Sequence, residues 1–362
     1  MKFIDEYRDP ALVQGLVRGI QQRAARIGSQ VTIMEVCGSH TQAIGRYGIR
    51  ALLPNTIRLI SGPGCPVCVT SGADVDRALH LARQSGVLFA TFGDMLRVPG
   101  TGGASLQQLR AAGADIRVVS SAADCLELAR THPSREIVFM GIGFETTSPT
   151  VAAMVAACYE RGIQNVSVFS VHKLIPPALQ TLINDPALSI DGFLCPGHVS
   201  TIIGVEAYAC IPAAGRAAVI TGFEPVDILE GIFLVLGQIL DGNKEVTLQY
   251  RRAVSPEGNK RAQSLLEKVF YPSPAEWRGL GRLPASGLAF TEAYQAFDAC
   301  KRFPIPEMVA EEAVGCRCGD VLRGICSPLQ CPLFGSRCSP AHPVGPCMVS
   351  TEGTCAAYYK YR

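Results

Sequence analysis

Apolar residues recur at helical spacing near the start of the chain. Leu12, Val13, Leu16, Val17, Ile20, Ala24 and Ile27 fall three or four positions apart, and Gly28 follows as a C-cap. The period then changes. Short β-rich runs cover 31–36, 56–61, 87–92, 115–120, 136–141, 166–171, 191–195 and 217–222, and helical stretches lie between many of them at 71–85, 105–112, 121–131, 148–161 and 225–240. This alternation predicts parallel sheets with crossover helices. Eight strands are many for one small sheet, so two α/β units are expected, broken near 140–150 or joined by a crossover. Past 246 the alternation fades into a helical run at 256–270 and Pro/Gly-rich connections.

Composition narrows the class. A chain of 362 residues, 48% hydrophobic and 18% charged, is longer than one ordinary core and has the wrong balance for disorder. A net charge of +2 gives no basic field for nucleic acid or an acidic membrane surface. The charged start MKFIDEYRDP lacks the apolar core of a signal peptide. The longest apolar stretch, 228–240, is too short to span a bilayer and contains Glu230. A cytoplasmic, reducing location is expected, with no membrane partner. There, clustered cysteines are metal sites or working thiols far more often than staples.

Most candidate chemistry falls where strands end, the edge at which open α/β sheets bind ligands. The run at 31–36 leads into Cys37-Gly38-Ser39-His40-Thr41, and a Cys close to a His reads as a nucleophile, a metal-ligand pair or an inert buried thiol. The run at 56–61 leads into Gly62-Pro63-Gly64-Cys65-Pro66-Val67-Cys68. Such a C-x-x-C loop closes a small disulfide, lowers one thiol's pKa, or forms half a zinc site. The run at 136–141 leads into Gly143-Phe144-Glu145-Thr146-Thr147, whose amides can hold an anion or small polar ligand; otherwise Glu145 and the threonines cap the next helix. It lacks the Gly-Lys-Ser/Thr of a P-loop. His172 and His198 stand at two further strand ends. Cys125, Cys158, Cys195, Cys210 and Cys300 read as packing residues.

The densest signal is the tail. Cys316, Cys318, Cys326, Cys331, Cys338, Cys347 and Cys355 crowd into 40 residues, whereas the first 315 residues supply eight cysteines. Four thiolates hold a 4Fe–4S cluster. Two zinc sites prefer paired C-x2–4-C spacings, which are largely missing here. Spacing therefore favours iron–sulfur.

In combination these motifs carry a resemblance. Cys316-Arg317-Cys318-Gly319-Asp320, Cys331-Pro332-Leu333-Phe334-Gly335, Pro346-Cys347-Met348-Val349-Ser350 and Glu352-Gly353-Thr354-Cys355 resemble the hydrogenase maturation factor HypD family. So do the Cys37–Thr41 turn, the Cys65–Cys68 loop, the Gly143–Thr147 turn and Pro196-Gly197-His198-Val199, end to end and in the same order. One departure is Gln42, where a second His is expected.

The resemblance implies two similar parallel-sheet α/β domains facing a cleft, plus a cysteine-rich iron–sulfur domain similar to the cluster region of ferredoxin–thioredoxin reductase. It implies a scaffold on which the Fe(CN)2(CO) group of nickel–iron hydrogenases is assembled, with a HypC-type chaperone and a HypE-type donor of carbamoyl-derived cyanide. Cys37, beside His40, would hold the iron, Cys65 and Cys68 would cycle between dithiol and disulfide, and Glu145, Thr146 and His198 would line the ligand site. The 4Fe–4S ligands expected first are Cys331, Cys338, Cys347 and Cys355, with Cys318 or Cys316 able to displace one and Cys326 the spare. The expected organisation is a helix within 1–30 packing on the C-terminal domain, α/β domains over 31–140 and 141–245 (a crossover being the alternative), and a cluster domain over 246–362. The alternative function is a stand-alone 4Fe–4S-dependent thiol–disulfide reductase.

Overall fold

The computed structural model describes residues 5–242 and 245–361. All eight β-rich runs form strands: β1 (Val31–Glu35), β2 (Ile57–Ser61), β3 (Val87–Thr91), β4 (Ile116–Val118), β5 (Glu136–Gly141), β6 (Val166–Ser170), β7 (Gly192–Pro196) and β8 (Ala217–Thr221). Every residue of β1, β3, β7 and β8 is buried, as parallel strands covered on both faces require. Three more strands follow: β9 (Val246–Leu248), β10 (Phe270–Trp277) and β11 (Gly281–Phe290).

The strands sort into two parallel sheets and a hairpin. One sheet has the order β2-β1-β7-β8-β9 and the other β4-β3-β5-β6, while β10 and β11 pair antiparallel. The chain thus starts the five-stranded sheet, leaves after β2 to build the four-stranded one, and returns at β7. Ile33 pairs with Gly192 and Glu35 with Leu194 across that gap. The break expected near 140 falls inside the second sheet instead, where Ile137 pairs with Val166 and Gly141 with Ser170. Contiguous units at 31–140 and 141–245 are therefore replaced by one discontinuous unit and one inserted in it, which is the crossover arrangement. Periodicity reports which residues are strand, but pairing across 159 positions is non-local and leaves no trace in it.

The helix Pro10–Ile27 is capped by Asp9, whose side chain accepts the Ala11 amide at 2.7 Å, and ends at Gly28 with φ 71°. It packs on the helix Pro225–Asp241 of the five-stranded unit, not on the C-terminal region as expected. At Gly19 a Cβ would lie 2.8 Å from the Phe233 ring, so glycine permits the close approach. Arg23 covers that ring at 3.5 Å and donates to Phe233 O at 2.6 Å. Ile20 and Ala24 thereby join a core with Ile33, Val219, Ile228 and Ile232. A larger core runs from Met34 and Phe193 of one sheet to Phe89 and Val138 of the other.

Candidate functional site

Cys37 sits where β1 gives way to the helix Gly38–Arg46, as that helix's N-cap residue. Cys65 likewise caps the short helix Pro66–Val69 that follows β2, and its sulfur accepts the Cys68 amide at 3.2 Å. Since β1 and β2 are parallel neighbours, both turns emerge at one sheet edge. Gly38 N–H donates to Gly64 O at 2.9 Å, tying the turns together. A Cβ on Gly64 would fall 2.5 Å from Cys37 Cα, so this contact requires glycine. Cys65 and Cys68 form a disulfide with Cα atoms 5.2 Å apart.

Burial is the main influence on Cys37. It pushes the thiol up to about 12, with the Glu352 charge adding to the effect and the amides of Ser39 and His40 opposing it. Beneath it lies Glu35, wholly buried, which accepts the Cys37 amide at 3.2 Å and the Thr41 hydroxyl. Burial raises this carboxyl to about 7 against those hydrogen bonds. From the other side comes the tail: Glu352 accepts from Ser39 Oγ at 2.9 Å, and Ser350 donates to Asp94 at 2.8 Å. No sequence motif assigns a role to Glu35 or Glu352. A charged residue inside the apolar run VTIMEV was the available signal for Glu35; nothing local marked Glu352.

His40 is fully buried. Its Nε2 is 2.9 Å from both Gly222 O and Thr221 Oγ1, and its Nδ1 has no partner. Burial lowers it to about 4, so the ring is neutral at pH 7. Phe223 lies between two imidazoles, 4.6 Å from His40 and 3.9 Å from the exposed His198. The Gly222 carbonyl that fixes His40 is itself braced. Gln249 accepts the Gly222 amide, and donates to Asp227, which Arg252 grips with both ends of its guanidinium.

On the four-stranded sheet, Glu145 Oε1 accepts the Ile175 amide at 2.9 Å and so caps the helix Ile175–Ile183, not the helix Ser148–Glu160 that follows its own turn. Oε2 has no partner, and burial raises the group to about 7. Thr146 is exposed. His172 is buried at the end of β6 and lies apart from the Cys37 turn, lining a different cavity. Cys125, Cys158 and Cys195 are core residues, whereas Cys300 is exposed.

Six of the seven tail cysteines, Cys316, Cys318, Cys331, Cys338, Cys347 and Cys355, line one small cavity; Cys326 is buried outside it. Cys318 and Cys347 are 2.8 Å apart, sulfur to sulfur. That contact pulls Cys318 below the ordinary thiol range. It pushes Cys347 well above that range, with Cys355 and burial adding to the rise. The segments bearing both thiols, Cys318–Leu322 and Pro346–Met348, rest against the Pro66–Val69 helix. Among the described residues no three His, Cys, Asp or Glu side chains close on a single point as ligands of one ion do. No described helix is long and apolar enough to cross a membrane.

Two parallel α/β sheets, with a disulfide and a buried thiol at one sheet edge and a cysteine-lined cavity beside them, define a thiol-bearing α/β protein. Residues 11–362 match the family model HypD, described as "Hydrogenase formation hypA family". The chain is 46% identical over 371 residues to the hydrogenase maturation factor HypD of Rhodobacter capsulatus, covering 100% of this chain and 98% of that one. It is 45% identical over 369 residues to the factor of the same name from Escherichia coli K12 (100% and 98%), and 43% over 369 residues to that of Cupriavidus necator (100% and 97%). The chain belongs to the HypD family of hydrogenase maturation factors.

Proposed function

We propose that this chain is the scaffold on which the Fe(CN)2(CO) group of a nickel–iron hydrogenase is assembled, in a cleft between its two sheets. It acts with a HypC-type chaperone and a HypE-type cyanide donor. The observation that carries this reading is the joining of the Cys37 turn to the Cys65–Cys68 loop through Gly64, with the tail thiols packed behind that loop.

A low-spin iron bearing cyanide and CO is soft, and thiolate is the ligand that suits it. Cys37 is a neutral thiol until a cation replaces its proton, so loading the iron cargo releases that proton. His40, neutral and held through Nε2, positions the first turn of the helix that Cys37 caps. Opening the Cys65–Cys68 disulfide takes up two electrons and two protons, and closing it returns them.

Six sulfur donors around one cavity fit an iron–sulfur cluster better than a single ion, because ligands of a multi-iron core stand farther apart. A bound 4Fe–4S cluster would supply or accept one electron at a time. Cys318 and Cys347, as free thiols, already hydrogen-bond each other on segments that touch the C-x-x-C helix. This favours Cys316, Cys331, Cys338 and Cys355 as the ligands, in place of the set with Cys347 expected alongside the family resemblance.

Infrared spectra of the protein purified anaerobically with its chaperone test the scaffold. Cyanide and CO stretching bands are expected, and they vanish in Cys37→Ala. Absence of those bands while Cys65 and Cys68 turn over a disulfide substrate would replace the scaffold with the stand-alone reductase.

A further inference from the structure

Away from these thiols, a cavity of about 260 Å³ lies between the end of β6 and the β10–β11 hairpin. A buried ion pair lines it. Lys173 Nζ stands 3.3 Å from Asp74 Oδ2, with the two side chains 2% and 9% exposed. An ammonium has three N–H donors, and 3.3 Å is long for a charge-assisted bond. No second protein acceptor lies within bonding distance of Nζ among the described residues. Arg77 holds the other Asp74 oxygen at 3.2 Å. Arg282 and Glu276 face each other in the hairpin register without bonding.

The hairpin is irregular where it covers this pair. Its register slips between Ser273 and Ala275, and Ala285 holds φ 47°, the one left-handed non-glycine residue among those described. Bulges and such backbone outliers concentrate at binding sites, where they re-aim side chains. Counted formally, three cationic side chains line the cavity (Arg77, Lys173, Arg282) against two carboxylates (Asp74, Glu276), which leaves one positive charge unmatched; burial lowers Lys173, and the Asp74 charge opposes that. His172 adds no charge at neutral pH, since burial lowers it to about 3.

We propose that this cavity binds a small monovalent oxyanion of the carboxylate or bicarbonate class, its oxygens accepting from Lys173 Nζ and the Arg77 and Arg282 guanidiniums. The volume, below that of drug-sized pockets, admits a ligand of few heavy atoms. The single unmatched charge selects a monoanion, and Asp74 and Glu276 repel a phosphate dianion. Neither Cys37 nor the Cys65–Cys68 pair lines the cavity, so the proposal stands independently of the iron scaffold.

Calorimetric titration of the full chain with sodium formate, acetate and bicarbonate, against chloride and phosphate at matched ionic strength, is the test. Saturable one-to-one binding is expected for at least one of the three oxyanions and not for chloride. Lys173→Met should weaken it by roughly tenfold or more, the loss of a charged hydrogen bond. Arg282→Gln, on the exposed side of the hairpin, should weaken it less while leaving the fold intact. It remains decisive should Lys173→Met not fold. Absence of saturable binding, an affinity unchanged in Arg282→Gln, or a preference for phosphate would each overturn the proposal.

Discussion

The strand-end thiols and the tail thiols are placed by different means. Cys37, Cys65 and Cys68 lie where a strand gives way to a helix, and backbone bonds fix them: Gly38 N–H to Gly64 O, Cys37 N–H to Glu35, Cys68 N–H to Cys65 Sγ. Between Cys316 and Met348 the only regular structure is one five-residue helix and two 3-10 turns. There sulfur bonds sulfur at Cys318–Cys347, or takes an amide, as Cys338 does from Val344 at 3.3 Å. The first group is held by the folded sheets, with Glu352 of the tail joining at Ser39. The second is held by turns and short helices rather than by a sheet, so the proposed 4Fe–4S cluster would become part of its folding free energy.

The largest effect should come from removing the proposed cluster. Anaerobic chelation is expected to speed amide hydrogen exchange by orders of magnitude across 316–348 while the amides of β1, β7 and β8 keep their protection. Equal loss in both regions would mean that the tail and the sheets fold as one unit. The strand-end group should fail in a different way, through the polar brace behind His40. Asp227 is fully buried and held by Arg252 at 2.7 and 2.5 Å. Asp227→Ala leaves that guanidinium unpaired, and a loss of about 3–5 kcal/mol is expected in thermal or denaturant unfolding. A loss under about 1 kcal/mol would show that the brace is dispensable.

The turns also hold two buried carboxyls, Glu35 and Glu145. Glu145 is raised to about 7 by burial from an ordinary value of 4.5. Because the folded state binds this proton more tightly than the unfolded chain does, the contribution to stability is fully present below 4.5 and is lost as pH rises through 7. His40, lowered to about 4, works in the opposite sense, losing stability as pH falls from 6.5 towards 4. The difference between wild type and Glu145→Gln isolates the first effect. The variant should gain on wild type by about 3 kcal/mol between pH 4.5 and 8. A difference that stays constant over that range would mean that Glu145 is not raised.

Much of this was legible in the chain. The eight strands and the long helices followed from apolar period, and the cysteine motifs marked both thiol regions. Pairing across the chain was not legible, which is why the unit boundary fell inside β5–β6. The β10–β11 hairpin is hidden in sequence because Pro272, Pro274 and Pro284 interrupt it, and proline ordinarily argues against a strand unless at an edge. The helix Gly38–Arg46 opens with Gly-Ser-His-Thr, which reads as a turn until Cys37 is seen to cap it. Glu352 reaches Ser39 across 313 positions, a contact no local pattern encodes.

The smallest predicted change tests how tightly the strand-end thiols are placed. Gly64 is not in the left-handed region, so alanine is sterically, not conformationally, excluded. Its Cβ would sit 2.5 Å from Cys37 Cα and from Val36 C, and something must shift. Overpacking of this kind costs about 1–3 kcal/mol. The displaced loop should also break the Gly38–Gly64 bond and open the Cys37 thiol, seen by mass spectrometry as faster alkylation at Cys37 than in wild type. Gly15→Ala is the control: nothing lies within 4 Å of its Cβ, and a helical Gly→Ala change there should stabilise by about 0.5–1 kcal/mol without touching Cys37. If Gly64→Ala behaves like Gly15→Ala, the two turns are not locked together, and the contrast with the tail rests on hydrogen bonds alone.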